Sequence, residues 1–200
     1  EKAKVAMWEG NWEEAKKQAL DVIEDPMSPH SLASSTASVF SGDRNTSEQL
    51  FVVQFQESVL GGGDSNMMNA NFVTQYFQIP GIEANFAQGG RGFSRVIPNK
   101  YLLDLLAEDA NDTRDDNTYF RLKYYYTSGE KLGQEIDIYK PISADNPKGV
   151  EYKRYYQRLH PSCIKFSPTE GDPNSYKQRT NIMVYRLAET YLIAAEAIMR

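Results

Sequence analysis

Asn181-Ile-Met-Val-Tyr-Arg-Leu-Ala-Glu-Thr-Tyr-Leu-Ile-Ala-Ala-Glu-Ala-Ile-Met-Arg200 decides how the rest of the chain is read. No Gly, Asn or Pro closes the stretch before its last residue, so it reads as one helix over 181–200. Leu187, Tyr191, Ala195 and Ile198 recur at three- and four-residue spacing and predict one apolar stripe. Ala188, Ala194 and Ala197 leave small surfaces where a second helix can approach closely. Such a helix suits a helical array, and the pattern's run to Arg200 raises the expectation of a slice of a longer protein.

The other end has a matching partner. Glu1 to Gly10 is helical in character, Gly10-Asn11 breaks it, and Trp12 to Glu24 forms a second helix that Pro26 ends. Ala3, Gly10, Ala15, Ala19 and Val22 fall where a 34-residue tetratricopeptide repeat places small or apolar residues, with Trp12 in the seam between its helices. An ordinary amphipathic hairpin satisfies the same spacing, and both readings stand on these residues.

Composition narrows the class. The 200 residues are 40% apolar and 24% charged, which describes a globular chain. A net charge of −5, with basic residues scattered, argues against a nucleic-acid-binding face. No apolar run reaches membrane-spanning length. Cys163 is the single cysteine, which excludes an internal disulfide and a thiolate zinc cluster and predicts a buried structural thiol. No cofactor motif is present.

Residues 26–49 read as a connecting loop, and Leu50 to Gln56 as a β-branched, aromatic strand. A long segment from Gly61 to Gly92 holds Met67, Met68, Phe72, Tyr76, Phe77 and Phe86 among Asn, Gln and Gly, without sustained periodicity. So long an irregular stretch is usually functional. Asn99 caps a helix over 98–108 whose buried side is expected to be Tyr101, Leu102, Leu105 and Leu106. Tyr119 to Tyr126, Glu135 to Lys140 and Ser162 to Phe166 look extended.

Arg186-Leu-Ala-Glu-Thr-Tyr-Leu-Ile-Ala-Ala-Glu-Ala197, Val96-Ile-Pro-Asn-Lys-Tyr-Leu-Leu-Asp-Leu-Leu106 with Asp112-Thr-Arg114, the strand at Leu50, and Gly10-Asn-Trp12 with Ala15 and Ala19 occur in an order that resembles the SusD/RagB family of outer-membrane nutrient-binding lipoproteins of Bacteroidota. The resemblance implies a mainly α fold: a tetratricopeptide-like α-α superhelix with an irregular, loop-rich insertion of short strands. It implies one domain fragment over 1–200, with 1–25 and 181–200 as helical scaffold and 26–180 as the loop-rich part. It implies a non-catalytic protein, lipid-anchored at the cell surface through a segment outside this chain. Such a protein captures an oligosaccharide, or in some members a peptide, for a SusC-type TonB-dependent transporter.

Sugar capture needs flat apolar faces and planar polar groups. Stacking that buries roughly 100 Å² gives about 2.5 kcal/mol, whereas a micromolar complex requires about 8 kcal/mol, so a cluster is needed. Asn69 to Arg95 concentrates those residue types, and Tyr76, Phe77, Gln78 and Arg91, with Asn71 and Phe86 next, are the candidate ligand-binding residues. Tyr76→Ala is expected to weaken capture while leaving the melting point nearly unchanged. The plainer reading is that Phe72, Phe77 and Phe86 pin the loop to the body.

Other constellations carry less. Asp109, Asn111, Thr113 and Asp115 alternate as calcium ligands do, but Arg114 stands where Gly is needed and Phe120 where Glu is needed, so a capped turn tied by Arg114 is expected and no metal. Glu189 and Glu196 lie two helical turns apart, roughly 10 Å, too far for a retaining glycosidase pair and loose for an inverting one. Asn45 and Asn111 begin glycosylation sequons that carry no meaning in a bacterial protein. A tetratricopeptide-type protein-binding adaptor is the main alternative; a polysaccharide hydrolase has only its abundant carboxylates in favour.

Overall fold

Gly10, with φ 75°, turns the chain between two helices, and Asn11 starts the second by accepting the Glu14 N–H on its side chain at 3.2 Å. These are α1 (Lys2–Trp8) and α2 (Trp12–Ile23). The computed structural model describes residues 1–40, 47–55, 65–114, 118–136 and 158–200. Further elements are α3 (Thr36–Val39), β1 (Gln49–Val53), α4 (Met68–Phe72), 3-10 turns at Tyr76–Gln78 and Phe86–Gln88, α5 (Lys100–Glu108), β2 (Phe120–Arg121), β3 (Tyr124–Tyr125), β4 (Glu135–Ile136), β5 (Ser162–Cys163), β6 (Ile182–Arg186) and α6 (Leu187–Met199). They form two compact units, Glu1–Val39 with Asp43–Gln54 and Asn181–Arg200, and Phe40–Gly42 with Phe55–Thr180.

In the first unit the two chain ends share an apolar seam. Ala3 and Ala6 of α1, Ala15 and Ala19 of α2, and Ile193, Ala194 and Ala197 of α6 are buried together, flanked by Met7, Trp12, Leu20 and Ile23. Alanine at the crossings lets three helices approach, so the expected small-residue packing is present.

Residues 181–200 are not one helix. Ile182–Arg186 forms an antiparallel strand against β1, pairing Gln49 with Arg186 and Val53 with Ile182, and the helix begins only at Leu187. The β-branched Ile182 and Val184 and the aromatic Tyr185 suit a pleated surface, and β1 supplies the backbone partners. Glu48 locks the strand-to-helix corner. Its carboxylate is buried, accepts Arg186 Nη1 at 3.0 Å and the Ala33 N–H at 3.0 Å, and its carbonyl accepts the Leu187 N–H at 2.9 Å. The buried face of α6 is therefore Leu187, Thr190, Ile193, Ala194 and Ala197, while Tyr191, Ala195 and Ile198 of the expected stripe are exposed.

The second unit is built around aromatic and hydroxyl groups with little regular structure. Val73, Tyr76, Ile82, Tyr124, Ile136 and Leu159 form its core, and two-stranded pairings β2–β5 and β3–β4 close over it. The Tyr124 hydroxyl touches Ser162 Oγ, lies 2.9 Å from Thr74 Oγ1, and donates to the His160 carbonyl at 3.2 Å. These groups satisfy one another where water is excluded. Burial pushes the Tyr124 phenol up to about 12. The strand expected to run to Gln56, the glycines at 61–63, Asp64, residues 137–140, Asn45 and Asp115 all reach residues outside those described.

Candidate functional site

The site begins with the end of a short helix. The last carbonyls of any helix lack intrahelical donors, and those of α4 are taken by one loop: Phe93 N–H bonds Ala70 O at 2.6 Å, Arg95 and Val96 N–H bond Asn71 O at 3.0 and 2.9 Å, and Ser94 N–H bonds Val73 O at 2.9 Å. The fit admits only glycine at 92, where a Cβ would sit 1.9 Å from the Val73 carbonyl oxygen. Ser94 takes a left-handed φ of 58°, and its hydroxyl is buried without a partner. Non-glycine residues hold such a conformation only where their surroundings enforce it.

That loop projects a chain of stacked planar groups. The Arg91 guanidinium lies over the Phe77 ring at 4.7 Å and over Tyr176 at 4.8 Å. Tyr176 stacks on Phe93 with centroids 4.2 Å apart and planes within 10°, and Arg95 lies over Phe93 at 4.6 Å. Arg95 Nη1 donates to Asn71 Oδ1 at 3.1 Å, and Arg91 Nη1 to the Asn174 carbonyl at 3.2 Å. Gln75 Nε2 donates to the Phe93 carbonyl at 3.2 Å, and Gln75 Oε1 accepts from Gln78 Nε2 at 3.0 Å. Four expected site residues, Phe77, Gln78, Arg91 and Asn71, are thus gathered on this ladder.

The other two are elsewhere. Tyr76 is completely buried, its ring stacked on Tyr124 at 5.3 Å and its hydroxyl donating to the Asn85 carbonyl at 3.2 Å. Burial holds its phenol well above the usual tyrosine range, and it has no open face for a sugar. Phe86 is half-buried at the start of the second 3-10 turn, where Asn85 caps Gln88, and makes no ring contact with the ladder.

Beside the ladder lies a cleft of about 420 Å³ lined by Phe72, Val96, Ile97, Pro98, Asn99, Tyr101, Leu102 and Cys163. Asn71 and Phe72, and Arg95 and Val96, are chain neighbours, so ladder and cleft meet where that loop is bonded to α4. Tyr101 is 74% exposed and Leu105 also faces outward, against the expectation that both were on the buried side of α5; Leu106 is buried. The N-cap holds as expected, with Asn99 Oδ1 accepting the Leu102 N–H at 2.9 Å. It fixes the first turn so that Tyr101 stands on the cleft wall. Tyr101, exposed at the start of a capped helix, is a candidate site residue that the sequence reading placed on the buried side. Cys163 on the opposite strand is half-buried, and burial pushes its thiol up.

The Asp109–Arg114 turn is held as expected. Asp112 accepts the Arg114 N–H at 3.0 Å and its guanidinium at 2.5 Å, and the hydrogen bonds to Arg114 lower its carboxyl to about 2. Among the described residues no three His, Cys, Asp or Glu side chains converge as a metal site.

A sequence model of the SusD family matches residues 44–200. A comparison with curated proteins finds no match. Among solved structures, a SusD superfamily protein from Parabacteroides distasonis is 21% identical with a TM-score of 0.59 over 94% of this chain and 34% of its own. Surface glycan-binding protein A from Bacteroides thetaiotaomicron is 19% identical over 99% of this chain and 41% of its own, with TM-scores of 0.64 alone and 0.65 in complex with laminarihexaose. At these identities the likeness is one of fold, and the chain spans well under half the length of those proteins.

Proposed function

The chain belongs to the SusD family, and on that footing we propose that it is a nutrient-binding protein that seats an oligosaccharide in the Tyr101 cleft and along the ladder from Arg95 to Phe77. The observation that carries this reading is the meeting of an open aromatic cleft with a row of guanidinium and amide donors on one loop pinned to α4. Tyr101 supplies a flat face, Phe72 and Pro98 the apolar walls, and Asn71, Gln78, Arg91 and Arg95 the planar donors that bracket hydroxyls. A relative of the same fold solved with laminarihexaose supports a carbohydrate as the ligand class.

In this reading residues 1–200 act as one family domain. Residues 1–25 and 181–200 form tetratricopeptide-like scaffold, and 26–180 carry the site. The protein works without catalysis at the outer membrane, anchored by lipid at the cell surface, and passes its ligand to a TonB-dependent transporter of the SusC type. Among the described residues no helix is long and apolar enough to cross a membrane.

Calorimetric titration against a panel of oligosaccharides and size-matched peptides tests the ligand class. Micromolar binding of at least one oligosaccharide, about 8 kcal/mol, with the sugar recovered at its original length, is expected. Binding of peptides alone overturns the carbohydrate reading, and shortened sugars overturn the non-catalytic one.

A further inference from the structure

The ladder uses its own flat faces. Phe93 and Tyr176 cover each other, Arg91 covers Phe77 and Tyr176, and Arg95 covers Phe93. What it offers a ligand is therefore guanidinium N–H groups more than open aromatic planes; the open plane is Tyr101, next door in the cleft.

Those N–H groups lack anionic partners. Among the described residues neither Arg91 nor Arg95 has a carboxylate at ion-pair distance; each makes one hydrogen bond, to a neutral oxygen. Asp172, in the turn whose Asn174 carbonyl holds Arg91, uses its carboxylate on the Asn174 N–H at 2.9 Å. Arg91 Nε is buried with no acceptor at all. Arg95 is exposed, Asn71 fixes its Nη1, and its Nε and Nη2 are left without an acceptor. That edge of a guanidinium takes a carboxylate through two parallel hydrogen bonds. Two cations without a carboxylate partner among the described residues, one at each end of the Tyr176–Phe93 stack, are notable in a chain of net charge −5.

We propose that the ligand is an acidic glycan, and that Arg95 binds a carboxylate or sulfate on the sugar unit next to the one seated against Tyr101. The inference rests on the carbohydrate reading above and adds the charge of the ligand to it. Asn71 and the Phe93 ring hold Arg95 in place before the anion arrives, so little side-chain freedom is lost on binding.

The test compares paired probes of equal backbone: oligogalacturonate with its methyl ester, and a sulfated oligosaccharide with its desulfated form, with laminarihexaose as a neutral reference. Binding of at least one acidic member about tenfold to hundredfold tighter than its neutral counterpart is expected, with affinity that falls as salt rises. Arg95→Gln removes that preference, Arg95→Lys retains part of it, and Lys17→Gln, the same charge change on α2, leaves it intact. Retained circular dichroism and melting midpoint show that the Gln variant still folds. The two anion arms tell carboxylate from sulfate. Equal or tighter binding of neutral members overturns the acidic-glycan inference while leaving the carbohydrate reading standing. Absence of binding to every carbohydrate overturns both.

Discussion

Tyr76 and Phe77 are neighbours in one 3-10 turn that differ in burial: Tyr76 is enclosed in the core, and Phe77 packs on its edge with Arg91 over the ring. Tyr76→Ala removes a fully buried ring from the core, so a loss of about 3–5 kcal/mol of stability is expected by urea titration. This reverses the expectation of an unchanged melting point. Gly92→Ala is expected to unseat residues 93–96 from α4, seen as a lower melting midpoint and lost ligand binding together, because its methyl group would meet the Val73 carbonyl at 1.9 Å. Asp112 has a simple pH signature. Its folded carboxyl is depressed by Arg114 to about 2 from 3.8, so the stabilisation it gives is complete above about pH 5 and is lost as pH falls from 4 towards 2. NMR titration of Asp112 reads that midpoint directly, and Arg114→Gln is expected to return it towards the ordinary value. At this scale residue types were legible in the sequence and their facing was not. Asn71, Phe77, Gln78 and Arg91 converge because a loop distant from α4 bonds to its final carbonyls, a relation that no local spacing contains.

At the scale of elements, caps and breaks could be read locally and pairings could not. Gly10-Asn11, Asn99 and the Asp112–Arg114 turn act through neighbours within three residues, and all are found as expected. Local spacing predicts helix at Ile182–Arg186 because the apolar run there continues without punctuation into α6. Only its pairing with β1, remote in sequence, selects the extended form. α5 lies where its spacing predicts a helix, but Tyr101 is on the outer side. Asn99→Ala is expected to cost about 1 kcal/mol and also to weaken ligand binding, because the first turn positions Tyr101. In the helical unit, Ala15→Leu places a larger side chain where α1, α2 and α6 meet, and a loss of about 1–3 kcal/mol in chemical denaturation is expected.

At the scale of the molecule, the two parts of the sequence divide the work. The alanine seam builds a frame from the two ends of the chain, and the irregular middle builds a surface from loops pinned by side chains and backbone. The family could be read because its motifs, at both chain ends and at α5, are short runs of sequence in a fixed order. The proposed ligand surface could be read only as a segment, since its shape comes from which loops meet. Cys163 gives that surface a reporter: it lines the cleft, and burial keeps it a thiol, so a bound glycan is expected to slow its alkylation. The most direct measurement is the dissociation constant of Tyr101→Ala for an oligosaccharide that the unaltered protein binds. Removal of the exposed ring is expected to weaken binding by about 1–3 kcal/mol with an unchanged melting midpoint. Equal affinity in the two proteins would contradict the placement of the sugar in this cleft.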